Sequence, residues 1–150
     1  GNLTRGVEFS IDTSGYEKLL FSFDQRNSST ASAYTALLYT LDGEQWSQAT
    51  SFHYAPTNAS FVNGISYDFS SISGANDNPS FGLRLVSMFA PGGSSYTGSG
   101  GTYSSNGTIR YDMVTLSGTE IAAVPEASSL AMLLAGLGLV GVVARRRRSA

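Results

Sequence analysis

The sequence predicts an all-β fold: an antiparallel β-sandwich of jelly-roll type, followed by a single C-terminal transmembrane helix. Three observations carry this. Apolar residues upstream of position 122 recur with period two in short runs separated by turn residues. The composition has 17 glycines, 8 tyrosines and 8 phenylalanines, with only 13% charged residues against a usual quarter or so. And the one long apolar run, from Ala127 to Ala144, carries no charge.

The strands follow in order. "VEFSI" sets Val7, Phe9 and Ile11 on one face. "LLFSFD" gathers Leu19, Phe21 and Phe23. "YTALLYTLDGEQWSQA" reads as a hairpin around Asp42-Gly43, a pair suited to positive φ. "ISYDFS" aligns Ile65, Tyr67 and Phe69, and "FGLRLVSMF" aligns Phe81, Leu83 and Leu85. "TIRYDMVTL" is the last strand, with Ile109, Tyr111 and Met113 facing one way and Val114 and Leu116 the other. Residues 90–107, "APGGSSYTGSGGTYSSNG", lack an apolar period and predict a long exposed loop. No convincing helical period precedes residue 122.

The organisation is therefore a sandwich over 1–121, a linker over 122–129 with a Pro-Glu pair, a transmembrane helix over 130–144, and an arginine-rich tail over 145–150. A helix apolar all round that stops at Arg145, Arg146, Arg147 and Arg148 has no polar face for water, so a membrane suits it better than a domain core. The arginines place the tail in the cytoplasm and the sandwich outside. A domain placed outside must be exported, so an N-terminal signal peptide is expected ahead of Gly1. The net charge of −2 includes those four arginines, so the sandwich is acidic and offers no basic face for nucleic acid.

The tail "VPEASSLAMLLAGLGLVGVVARRRR" resembles the PEP-CTERM sorting signal of bacterial exosortase substrates. Val124, Pro125 and Glu126 match its Pro-Glu motif, Ala127 stands where a second proline is usual, and the apolar span and arginine cluster complete the pattern. The resemblance implies passage through the inner membrane of a Gram-negative bacterium and cleavage by exosortase, a membrane protease. It further implies delivery to the cell surface or exterior, in association with exopolysaccharide and biofilm. A plain, unprocessed anchor is the alternative. "YTLDGEQW" is similar to a turn found in discoidin-like and carbohydrate-binding sandwiches.

Catalysis is not expected. With no cysteine and one histidine, His53 among aromatics, a Cys-His pair is excluded and a zinc site very strained. Ser99 reads as loop, and Asp24, Asp68 and Asp112 as turn caps or solvated faces. A surface glycoside hydrolase with carboxylates from distant strands stays open as an alternative. So does a carbohydrate-binding module, with Trp46, Tyr54, Tyr96 and Tyr103 as candidate sugar-stacking rings and Asp24, Gln25 and Arg26 as polar partners. No cofactor is expected. Calcium is a weak candidate at Asn76, Asp77 and Asn78, where a plain turn before Pro79 competes. The expected role is that of a non-enzymatic surface or matrix protein, with exosortase, the inner membrane and extracellular polysaccharide as partners.

Overall fold

The structure is a computed structural model, and it describes residues 1–54, 60–122 and 132–134. Seven strands follow one another: β1 (Gly6–Ile11), β2 (Tyr16–Asn27), β3 (Tyr34–Thr40), β4 (Trp46–His53), β5 (Val62–Asp68), β6 (Phe81–Ser87) and β7 (Ile109–Glu120). They form two antiparallel sheets, β1-β6-β3-β4 and β5-β2-β7. Of the connections, only β3 to β4 joins sheet neighbours; the rest cross between sheets. A single 3₁₀ turn, Ser73–Ala75, precedes β6.

Alternation in β2 builds the core. Leu19, Phe21 and Phe23 point inward at 2% exposure or less, and they meet Leu37, Leu83 and Leu85 from the other sheet. Rings bridge the two layers: Phe9 of β1 lies 6.5 Å from Phe21, and Phe52 of β4 lies 5.5 Å edge-on to Phe23. Phe69, just beyond β5, and Phe81 pack edge-to-face at 5.5 Å. Burying each such ring contributes about 1.5–3 kcal/mol.

Two expectations need correction. In β7, Met113 does not share the face of Tyr111. It sits at φ 49° and is 69% exposed, while Tyr111 and Leu116 both pack on the core. The pairing with β2 slips by one residue between Ser22–Thr115 and Asp24–Asp112, so Met113 is a bulge that reverses the alternation. Residues 90–107 are irregular but not a free loop. Ala33 donates to Thr97, Ser99 to Ala31, Gly100 to Ser29 and Ser104 to Thr30, all within 2.9 Å between backbone atoms.

Strand direction defines two poles. One carries the end of β2 at Asn27, the starts of β1 and β7, and residues 97–108; this is the loop pole. The other carries the start of β2, the β3–β4 hairpin and the end of β7; this is the tail pole. There Ile121 donates to the Gly15 carbonyl at 2.8 Å as the chain leaves the sandwich. The rise of an extended strand puts about 35 Å between the ends of β7. Among the described residues no helix is long and apolar enough to cross a membrane. The expected span at 130–144 lies outside them except for residues 132–134, which are helical and exposed.

Candidate functional site

The inward frame of β2 does not end with its phenylalanines. Gln25 and Asn27 keep the same parity and are buried at 2% exposure or less. Buried amides need partners. Gln25 Nε2 donates to Asn27 Oδ1 at 2.9 Å and to Thr35 Oγ1 at 3.0 Å. Asn27 Nδ2 donates to the Ser32 carbonyl at 2.7 Å and to Ser99 Oγ at 2.9 Å. Ser99, expected as plain loop, thus ties residues 97–108 to the core. Tyr111, opposite Gln25 on β7, is hydrogen-bonded to the Thr35 side chain; burial pushes its hydroxyl up to about 12 against that bond. Gln25 Oε1 has no partner among the described residues.

Above this polar floor, a cleft of about 210 Å³ opens at the loop pole between β1 and β7. Arg5, Val7, Ser32, Tyr103, Ile109 and Tyr111 line it. Gly107 closes one wall, where a Cβ would come within 2.4 Å of the Ala31 nitrogen. At its rim the structure brings together two of the candidate rings. Tyr103 stacks on Tyr96 at 4.6 Å and 26°, and Phe89 meets Tyr96 edge-on at 4.7 Å. The Tyr96 hydroxyl donates to the Gly1 carbonyl at 2.6 Å. Burial raises the Tyr96 pKa, Tyr103 adds to the rise and Arg5 opposes it.

The other two candidate rings lie elsewhere. Trp46 begins β4 at the tail pole and packs on the second, outer cluster of Ala36, Leu38 and Val86. The Arg84 guanidinium lies 3.7 Å over its ring, and Arg84 Nε holds Glu8 Oε2 at 2.7 Å. Tyr54 is buried, its hydroxyl donating to the Ser60 carbonyl. The four rings therefore do not form one platform. Of the polar candidates, Gln25 is inside the core, whereas Asp24 and Arg26 occupy the opposite parity of β2, on its outer face.

The carboxylates serve the backbone. Asp24 and Asp112 are cross-strand partners, and each accepts from a bulge nitrogen: Gly64 at 2.7 Å and Met113 at 2.8 Å. Asp68 lies below its ordinary pKa because the Ser70 hydroxyl, and then the Ser70 backbone, donate to it. His53 stacks on Tyr34 at 4.5 Å. At the weak calcium site, Asp77 Oδ1 accepts from Gly15, Asn76 Oδ1 from Lys18 and Asn78 Oδ1 from Ser80. These side chains fix the turn between β1 and β2 and the entry to β6. Among the described residues no three His, Cys, Asp or Glu side chains gather as a metal site would need.

Val124, Pro125, Glu126 and the arginines at 145–148 lie outside the described residues. The model of the PEP-CTERM protein-sorting motif matches residues 123–148, so the chain carries that motif at the end of the segment leaving the tail pole. A signal of this kind marks export to the cell envelope or surface under exosortase control. No curated protein and no solved structure matches the chain.

Proposed function

We propose that this chain is a non-enzymatic protein of the outer surface or extracellular matrix, held in the inner membrane during sorting and released by exosortase cleavage near Val124, Pro125 and Glu126. The sorting motif over residues 123–148 is the observation that carries the reading. An uncharged span of 18 residues from Ala127 to Ala144 is near the minimum for a bilayer, and an arginine cluster beside it keeps that end cytoplasmic. The sandwich is then the exported cargo. Its crossing connections suit a jelly-roll-like fold, a common architecture for extracellular modules. A Gram-negative source and an exopolysaccharide setting follow from the resemblance and belong to the same proposal.

The test is delivery. In the native host, the Pro125→Ala/Glu126→Ala variant is expected to accumulate in the inner membrane, whereas the unmodified chain reaches the surface or medium. Equal delivery of both would overturn the processing step.

A second reading, that the sandwich binds carbohydrate, is favoured by one observation: Tyr103 lines a cleft whose other walls offer hydroxyls and a guanidinium. Sugar sites combine a ring face with a few placed polar groups. A hydrolase is not proposed, because Asp24 and Asp112 are engaged by backbone nitrogens of the two bulges.

A further inference from the structure

The basic residues of the sandwich are Arg5, Lys18, Arg26, Arg84 and Arg110. Lys18 pairs with Glu17, and Arg84 with Glu8. Among the described residues Arg5, Arg26 and Arg110 have no carboxylate within 4.0 Å, and all three sit at the loop pole. The tail pole holds Asp12, Glu17, Asp42, Glu44, Asp77 and Glu120. An acidic domain has thus gathered its unpaired cations at one end.

Arg26 and Arg110 are direct cross-strand partners on the outer face of the β5-β2-β7 sheet. Like charges in that position repel and destabilise a sheet. The pair Asp24–Asp112 lies two residues along the same face, yet no contact of 4.0 Å joins it to the arginines among the described residues. The two arginines flank a cleft of about 310 Å³, completed by Asn27, Ser28, Ser29 and Thr108. Two forks of guanidinium donors beside serine and threonine hydroxyls match a carboxylate or sulfate group.

We propose that Arg26 and Arg110 form an anion subsite for an acidic polysaccharide, with the cleft of Arg5 and Tyr103 at the same pole receiving further sugar units. The proposal rests on the carbohydrate reading above. A polysaccharide fits better than the two other polyanions. Nucleic acid demands more cations than three and no acidic body. A membrane surface beside the tail would face the opposite, acidic pole.

The test uses the full chain in neutral detergent micelles with polygalacturonate, dextran sulfate, uncharged dextran and phosphatidylglycerol vesicles as probes, at low and high salt. Binding to both acidic glycans is expected, weakened by salt. The Arg26→Gln/Arg110→Gln variant should bind polygalacturonate about tenfold more weakly, equivalent to about 1.4 kcal/mol. Lys18→Gln should bind like the unmodified chain, and Arg26→Lys/Arg110→Lys should recover part of the loss. The glutamine variant should keep the native far-ultraviolet circular-dichroism spectrum, so that its weaker binding reports the site and not the fold. Unchanged polygalacturonate binding by the glutamine variant overturns the anion subsite. So does a drop in vesicle binding by the glutamine variant as large as its drop on polygalacturonate, since the apolar span and Arg145–Arg148 engage lipid equally in both chains. If that variant and the unmodified chain bind uncharged dextran as well as polygalacturonate, the sugar reading stands and the subsite falls. If no glycan binds, both fall.

Discussion

At the residue scale, buried polar groups and special backbone angles carry the consequences. Tyr111 has a folded pKa near 12 against 10.0 for an ordinary tyrosine, with burial as the main cause. A raised folded pKa means that the unfolded chain releases the proton first. Its stabilising contribution is complete below pH 10 and is lost as pH rises to about 12, an effect of about 2–3 kcal/mol. Tyr111→Phe should remove that alkaline component from a series of denaturant melts, at the cost of the bond to Thr35. An unchanged alkaline limb would show that Tyr111 is not its source. Asp42 works in the other direction. Its Oδ1 accepts from Gln45 at 2.7 Å and Glu44 at 2.8 Å, and these bonds, with the Thr40 hydroxyl, hold its carboxyl below the ordinary value. Its contribution is present above the unfolded carboxylate pKa and fades as pH falls through the lower folded one. Asp42→Ala should therefore lower the thermal midpoint near neutral pH and have less effect in strong acid.

At the element scale, each predicted strand exists, because period-two patterns survive wherever one face is buried. Leu19, Phe21 and Phe23 were legible for that reason, and Phe21→Ala in β2 should cost about 3–5 kcal/mol in chemical denaturation. The Asp42-Gly43 turn was legible too, with Gly43 at φ 79°, although the connection spans residues 41–45 rather than two. The bulge was not legible. Tyr111 and Leu116 are five positions apart yet share the core, and only an inserted residue between them reconciles that spacing with a strand. A left-handed φ strains any side chain with a Cβ. Met113→Gly should hold or raise stability, by up to about 1 kcal/mol, and Met113→Val should lower it. A loss with glycine would mean that the methionine side chain, not the backbone, matters there. The loop over 90–107 hid its order for a related reason. Many of its ties run from backbone to backbone, so no side-chain pattern announces them; Ser99 and Tyr96 are exceptions, and their partners Asn27 and Gly1 lie 72 and 95 positions away in the chain.

For the whole molecule, two messages sit at opposite ends of one sandwich. The chain leaves at Glu120–Ile121 toward the sorting motif of residues 123–148, while the cleft, the stacked tyrosines and the unpaired arginines lie at the other pole. Of the candidate site, Tyr96 and Tyr103 were visible in the sequence because rings in a Gly/Ser stretch have no strand to bury them. Arg26 and Arg110 were not visible as a pair, since only the register of β2 on β7 sets them side by side. The address at the C-terminus was the most legible feature, because a Pro-Glu pair, an apolar span and four arginines are contiguous. The proposed function requires that exosortase read and remove this address. Intact-mass measurement of the protein from cells with and without exosortase tests it most directly. A mature form lacking Arg145–Arg148 is expected when exosortase is present and a full-length tail when it is absent; a form retaining Arg145–Arg148 in both strains would rule out removal of the tail.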